Sequence, residues 1–325
     1  MGQEILFEVT DLCKYFPHGR KKFLKAVDQV SFQVYKGETL GIVGESGCGK
    51  TTCGRTCIGL QERTGGTVLY KGKDVHKMNR EDYRQFTKEV QTVFQDPYAA
   101  LDPRMRVIDI IAEGIDIHHL CKNEEERTNK IYELLEMVGL EREHAYRYIH
   151  EFSGGQRQRI GIARALAVNP ECLLCDECIS ALDVSIQAQI IKLLIKLQKE
   201  KNLTYLFIAH DLSVVRYISD RVMIMYLGSV AEIGDTKEIY NNPLHPYTQI
   251  LLSAVPIADP EKEKQRIQTM MTGELPSPLN PPAGCRFSTR CPYACEKCHK
   301  ERPELREVSP GHKVACHMIE IEGEK

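Results

Sequence analysis

No run of apolar residues in this chain approaches the length of a membrane span; the most apolar, Val222 to Ala231, is about half of one. Charge of one sign is not in excess either. Lys and Arg number 43 against 45 Asp and Glu, a formal net charge of −2, with the two signs mixed along the sequence. That balance leaves no basic stripe of the kind nucleic-acid binding usually requires, so no nucleic-acid partner is expected. Glu4 and Glu8 interrupt the N-terminal residues, and no signal peptide is expected. Leu6 breaks the myristoylation pattern that Met1-Gly2 would open. Internal repeats and heptad runs are missing, which excludes solenoids and long coiled-coil arms. What remains is a chain of 325 residues with ample apolar content for one large domain or two smaller ones.

One motif dominates. Gly44-Glu45-Ser46-Gly47-Cys48-Gly49-Lys50-Thr51 fits G-x-x-x-x-G-K-[ST], between a short apolar segment (Glu38 to Val43) and a stretch from Thr52 to Leu60 that can run as a helix. Strand, loop and helix are the context a phosphate-binding loop needs. Glycines let the backbone turn tightly and bring its N–H groups close to phosphate oxygens, and the helix adds its positive end. Lys50 would neutralise the β- and γ-phosphates, and the Thr51 hydroxyl would hold Mg²⁺, with Thr52 opening the helix beside it. Cys48 lies in this loop next to Lys50, an arrangement that lowers a thiol's pKa, so a reactive cysteine protected by ATP is expected there.

The rest of the chain organises around that loop. Leu6 to Val9 and Val30 to Val34 alternate apolar and polar residues as strands do, and Gly65 to Tyr70 reads as a turn and strand. Val90 to Gln95 is a short apolar strand ending at a glutamine. From about Pro97 to Ile149 the pattern turns helical, with Ile131, Leu134, Leu135 and Val138 at helix spacing. Cys172 to Cys175 and Leu206 to Ala209 read as buried strands that stop at Asp176-Glu177 and at His210. Ile186, Ile190, Leu193, Leu194 and Leu197 mark an amphipathic helix between them. Short buried strands alternating with helices predict an α/β fold with a mainly parallel sheet and ligands at the strands' carboxyl ends. The Pro-rich stretch Pro276 to Pro282 separates this core from a cysteine-rich tail.

Asp176, at the end of a buried strand, is placed to bind Mg²⁺, and Glu177 to polarise an attacking water. Phe152-Ser153-Gly154-Gly155-Gln156 opens a helix, where hydroxyl, backbone N–H groups and helix dipole converge as a second anion-binding device. The order P-loop, Gln95, Ser153 to Gln156, Asp176-Glu177, Ser180-Ala181-Leu182-Asp183, His210 resembles the nucleotide-binding subunit of ATP-binding-cassette (ABC) transporters over residues 5–255. The resemblance makes Gly44–Thr51 the Walker A motif, Gln95 the Q-loop and a Mg²⁺ ligand, Phe152–Gln156 the signature and Cys172–Asp176 Walker B. Glu177 becomes the catalytic glutamate, Ser180–Asp183 the D-loop and His210 the switch histidine. Tyr15 or Phe16 would stack on adenine, with Phe16 taken as the binding residue. The sequence departs from the family at Phe152, where leucine is usual, and at Cys178, where proline is usual and whose absence would loosen the turn.

Ala99 to Met105, Ser180 to Gln189, Asn242 to Thr248 and Gly273 to Pro278 narrow the likeness to oligopeptide and dipeptide permease ATPases, of the F-type that pairs with a D-type ATPase. Importers of nickel and other small solutes share much of this pattern. A non-transport ABC ATPase acting on DNA or ribosomes would carry long coiled-coil insertions or two cassettes, and a P-loop kinase would have no use for Ser153 to Gln156. The resemblance implies a nucleotide-binding domain at 1–255, with an inserted helical subdomain at about 97–165 and an N-terminal antiparallel β region. A small Cys-rich extension follows at 256–325. It further implies a head-to-tail heterodimer burying two ATPs, two transmembrane permease subunits, an extracytoplasmic solute-binding protein, and a place at the cytoplasmic face of the cell membrane.

Of thirteen cysteines, eight are scattered through the first 180 residues and five cluster between Cys285 and Cys316. An ATPase working in reducing surroundings makes metal ligation or buried thiols the expectation, not disulfides. Cys285, Cys291, Cys298 and Cys316 are spaced C-x5-C-x6-C-x17-C. Spacing alone leaves iron–sulfur and zinc both open, with His299, His312 and His317 nearby and Cys295-x2-Cys298 able to mimic a zinc knuckle. The permease resemblance favours a [4Fe–4S] cluster on those four, with Cys295 a free thiol.

Overall fold

The structure, a computed structural model, describes residues 4–19, 22–254 and 276–319. Gly273, Glu274 and Leu275 of the Gly273–Pro278 run, and the boundary expected at 255/256, lie outside the described residues. The strands, in chain order, are β1 (Ile5–His18), β2 (Lys22–Tyr35), β3 (Thr39–Val43), β4 (Gly65–Tyr70), β5 (Lys73–Asp74), β6 (Val90–Val93), β7 (Cys172–Asp176), β8 (Thr204–Ile208), β9 (Arg221–Tyr226), β10 (Ser229–Asp235), β11 (Arg306–Ser309) and β12 (His312–Val314). The helices are α1 (Lys50–Cys57), α2 (Arg80–Glu89), α3 (Pro97–Ala100), α4 (Val107–Ile117), α5 (Glu124–Met137), α6 (Gly154–Leu166), α7 (Val184–Lys201), α8 (Leu212–Ile218), α9 (Thr236–Asn241) and α10 (Pro246–Ser253), with a short helix Glu296–Lys300 in the tail. They form two compact units.

One unit is built on Tyr35–Glu38 and Lys77–Ala209. Its strands β6, β7 and β8 run parallel, with Cys172 opposite both Val90 and Thr204. All five residues of β7 and all five of β8 are buried, which is why both read as unbroken apolar runs and not as alternating ones. The helical stretch follows the predicted periodicity. Ile131, Leu134 and Leu135 of α5 and Val107, Ile108, Ile110, Ile111 and Ile115 of α4 are buried. Asn123 caps α5 by accepting the Glu126 N–H at 2.8 Å, and Asp183 caps α7 by accepting from Ile186 at 3.0 Å. Asn202 ends α7 in the left-handed region, φ 52°, as asparagine does more readily than most residues.

The other unit is built on Ile5–Val34, Thr39–His76 and the described residues from His210. Strands β2, β1, β4 and β5 make an antiparallel sheet, with Phe7 opposite Tyr70. A second group orders its strands β11-β12-β10-β9-β3. Only β3 and β9 are parallel there; β9 with β10, β10 with β12 and β11 with β12 are antiparallel. Two features go beyond what the sequence analysis described. The run Val222 to Ala231 is a hairpin, reversed at Leu227 (φ 44°) and Gly228 (φ 78°). The Cys-rich tail adds β12 to the edge of β10, so the sheet, expected to be mainly parallel, is antiparallel on this side.

Candidate functional site

The P-loop leaves β3 and enters α1 through three glycines with positive φ: Gly44 at 151°, Gly47 at 77° and Gly49 at 102°. Sterics exclude any side chain at two of them. A Cβ on Gly44 would come within 2.1 Å of the Met225 carbonyl oxygen, and one on Gly49 within 2.0 Å of the Ala26 carbonyl oxygen. The β9–β10 turn braces the loop further, with Gly228 N–H donating to the Cys48 carbonyl at 2.9 Å. Lys50 is almost fully buried and its Nζ donates to the carbonyls of Gly44 at 2.9 Å and Glu45 at 3.1 Å. His210, just past β8, brings Nδ1 to 3.4 Å from the same Nζ. The P-loop lysine and the histidine named from sequence therefore meet, across 160 positions of chain.

Cys48 corrects the sequence reading. It is 4 % exposed, and burial raises its thiol pKa by more than the neighbouring Lys50 charge lowers it. Desolvation outweighs the ammonium because the sulfur lies inside the turn of the loop, against Gly44. Of the two aromatics considered for adenine, Tyr15 is committed elsewhere. Its hydroxyl donates to the Asp28 carboxylate and the Lys25 ammonium sits 5.4 Å from its ring centre. Burial and that hydrogen bond push the phenol far above its ordinary pKa. Phe16 is half-buried, with Lys14 Nζ 4.9 Å from its ring centre.

In the other unit, Asp176 is the last residue of β7 and 1 % exposed. Glu177 follows at φ 49°, a left-handed conformation uncommon outside glycine, held by its N–H donating to Ile208 O at 3.0 Å. Ser180 closes the turn, N–H and hydroxyl both donating to the Glu177 carbonyl at 3.1 and 2.9 Å. Gln95 lies two residues beyond the end of β6 and donates Nε2 to Ser180 Oγ at 3.5 Å. This brings Gln95, Glu177 and Ser180 together. Cys178 is 1 % exposed and shares a hydrogen bond with Cys175, so it packs the turn where a loosened one was expected.

Ser153 caps α6. Its Oγ accepts from Gln156 N–H at 3.4 Å and Gln156 Oε1 accepts from Ser153 N–H at 3.0 Å, a reciprocal box that occupies both side chains. Gly154 and Gly155 face Leu182 and Ile186, and at Gly155 a Cβ would come within 2.5 Å of the Ile186 side chain. Phe152 is 4 % exposed and packs edge-on against His144, ring centres 5.3 Å apart, so the aromatic replacement is absorbed in the core.

The tail cysteines are gathered without converging. Cys285 and Cys291 each have raised thiol pKa values, first from burial and then from the neighbouring thiols of Cys298 and Cys316. Cys295 and Cys298 bring their sulfurs to 3.5 Å. Yet among the described residues no three of His, Cys, Asp and Glu form a group that could hold a metal ion. Two of the three histidines of the zinc alternative are engaged: His312 Nε2 meets buried Glu232 Oε1 at 2.7 Å, and His317 Nε2 lies 3.0 Å from the Glu301 carbonyl. Sequence reasoning missed Asp28, 3 % exposed, which takes Arg286 and Arg302 from the tail. A polar residue inside β2 gives no signal of partners more than 250 positions away.

The ABC transporter family profile matches residues 27–180, and that of the oligopeptide/dipeptide transporter C-terminal region matches residues 231–298. The oligopeptide transport ATP-binding protein AppF of Bacillus subtilis is 54 % identical, over 98 % of each chain. The chain belongs to the ATP-binding subunits of ABC transporters. Within that family, OppF of Escherichia coli is 50 % identical over 98 % of each chain. The dimeric ABC cassette MJ0796, solved in a post-hydrolysis state with ADP and Pi, superposes with a TM-score of 0.65 at 28 % identity, covering 71 % of this chain and 98 % of that one. No described helix is long and apolar enough to cross a membrane.

Proposed function

We propose that this ABC subunit hydrolyses ATP to drive import of oligopeptides or dipeptides through two separate transmembrane permease subunits. The observation that carries this is full-length likeness to oligopeptide transport ATP-binding proteins, C-terminal region included. Residues 1–255 are the nucleotide-binding domain and 256–325 the extension. The chain works at the cytoplasmic face of the membrane, head-to-tail with a D-type ATPase, on solute delivered by an extracytoplasmic binding protein. Lys50 and the loop N–H groups from Gly44 to Thr52 bind the phosphates of ATP, and Phe16 stacks on adenine. Thr51, Gln95 and Asp176 hold Mg²⁺, Glu177 polarises the attacking water, and His210 orients the γ-phosphate. Ser153, Gly154, Gly155 and Gln156 serve the partner's nucleotide. The contact of His210 with Lys50 supports the first of these sites.

Glu177→Gln tests the assignment. It keeps the side chain's shape, so nucleotide still binds, while hydrolysis by the assembled transporter falls about 10²–10⁴-fold. Turnover near that of the unmodified protein would remove Glu177 from its role. Peptide uptake into vesicles bearing the permease subunits tests the substrate, with nickel and other small solutes as competitors. A [4Fe–4S] cluster on Cys285, Cys291, Cys298 and Cys316 is supported by the likeness to oligopeptide permease ATPases, C-terminal region included, and by four thiols suited to such a cluster. Their described positions do not form its ligand set, and no step of hydrolysis uses it. Anaerobic purification with iron, sulfide and zinc analysis decides it; stoichiometric zinc, or no metal, refutes the cluster.

A further inference from the structure

The backbone N–H, the carbonyl and one carboxylate oxygen of Glu45, inside the P-loop, are all engaged. Its carbonyl accepts from Lys50 Nζ at 3.1 Å and from Cys48 N–H at 3.2 Å. Its N–H donates to the Tyr247 hydroxyl at 3.0 Å, and its Oε2 accepts from Arg290 Nη1 at 2.8 Å. The last two contacts come from the C-terminal part of the chain. Tyr247, on α10, is fully buried, and the Arg290 side chain is 9 % exposed. Arg290 ends the loop that runs from Cys285 to Cys291, where its own N–H donates to Phe287 O at 3.0 Å. Phe287 packs on Tyr226 and Tyr247 at 5.2 and 5.3 Å between ring centres, and those two rings meet at 4.6 Å. The Tyr226 hydroxyl lies 3.4 Å from Arg290 Nη1.

A surface ion pair adds little because solvent screens it and two flexible chains must be fixed. This pair differs on both counts. Its arginine side chain is only 9 % exposed and its glutamate side chain 22 %, so water reaches the pair from one side, and an aromatic block already immobilises the arginine. Two charge-assisted or buried hydrogen bonds thus fix the residue whose carbonyl holds the phosphate-binding lysine.

We propose that Arg290 and Tyr247 are positioning residues for ATP: acting through Glu45, they preset the P-loop and Lys50, so the Cys-bearing extension sets this chain's nucleotide affinity. The inference rests on the P-loop being the ATP site. Preorganisation of this kind acts on binding and leaves the chemical step unchanged.

The test measures binding of mant-ATP to the full chain, and KM and kcat for ATP in the assembled transporter. Arg290→Met raises Kd and KM about tenfold, the scale of one charge-assisted hydrogen bond, with kcat nearly unchanged. Arg290→Lys keeps the charge and restores part of the affinity, because the ammonium ends one bond short of Nη1 and loses the guanidinium's contact with the Tyr226 ring. Tyr247→Phe removes only the hydroxyl and weakens binding in the same direction, which keeps the test open should Arg290→Met fail to fold. Adding Glu45→Gln to Arg290→Met costs no further affinity, since one interaction is removed twice. Unchanged Kd in both Arg290→Met and Tyr247→Phe, fully additive losses, or a fall in kcat with Kd intact overturns the inference. Failure of the unmodified chain to bind mant-ATP overturns the ATP-site reading itself.

Discussion

Replacing Glu232 with alanine should destabilise the unit that carries the P-loop by roughly 3–5 kcal/mol. The carboxylate is fully buried on β10. Oε1 accepts from Leu244 N–H at 2.8 Å and meets His312 Nε2 at 2.7 Å, and Oε2 accepts from His245 N–H at 3.0 Å. The Leu244 and His245 amides lead into α10 and have no helical acceptor of their own. Alanine leaves three buried donors unmet, each costing about 1–3 kcal/mol when taken singly. These losses overlap, since one side chain serves all three donors, so the total stays below their sum. Glu232→Gln keeps the shape and one acceptor oxygen, and should lose only about 1–2 kcal/mol. The chain has no tryptophan, so urea unfolding is followed by far-ultraviolet circular dichroism and by its 14 tyrosines. A loss below about 1 kcal/mol for Glu232→Ala, or a glutamine variant weaker than the alanine one, would refute the reasoning.

Further expectations concern protons, thiols and backbone. Burial pushes the His245 imidazole down to about 4 although the Glu232 carboxylate beside it pulls the other way. The unfolded chain therefore binds the proton first: stability from neutral His245 is complete above about pH 6.5 and drains away as pH falls toward 4, on the order of 3 kcal/mol in all. His245→Asn keeps an acceptor for the Tyr247 N–H and should flatten that acid limb in pH-dependent unfolding. Maleimide labelling with peptide mapping should modify exposed Cys295, whose thiol pKa is lowered by the Cys298 N–H, well before buried Cys48; equal rates would contradict the burial argument. Gly49→Ala, forced against the Ala26 carbonyl at φ 102°, should abolish mant-ATP binding while far-ultraviolet dichroism is retained.

What could be read from sequence, and what could not, divides by the range of the interaction. The P-loop was legible because its glycines answer to local backbone needs and because β3, buried along its whole length, leaves an apolar signature. Helix α5 was legible because its buried positions recur at the helical period. The β9–β10 hairpin was hidden: both strands are buried, so the apolar run continues on either side of the reversal, interrupted only by Gly228-Ser229. The state of Cys48 was hidden because sequence shows Lys50 beside it but not the tertiary packing that dries the sulfur. The Ser153–Gln156 box is a local pattern and was available, yet an anion-binding reading drew the same residues. The roles of Asp28, Arg290 and Tyr247 depend on partners from distant parts of the chain and leave no periodic trace.

The reach of the tail back to β2 and the P-loop also fixes an order of events during synthesis. Glu45 waits for Arg290, 245 residues later, and Asp28 for Arg286 and Arg302, 258 and 274 residues later. At about 5–20 residues per second a ribosome needs roughly 10–50 s to supply them. Until then Asp28 is a carboxylate in a forming core without its two guanidinium partners, and the loop closure joining them is long and entropically slow. The nascent chain therefore emerges with its nucleotide-binding motif nearly first and completes it nearly last. A product cut short before Arg286 would carry the entire motif in its sequence and lack the groups that hold it in shape.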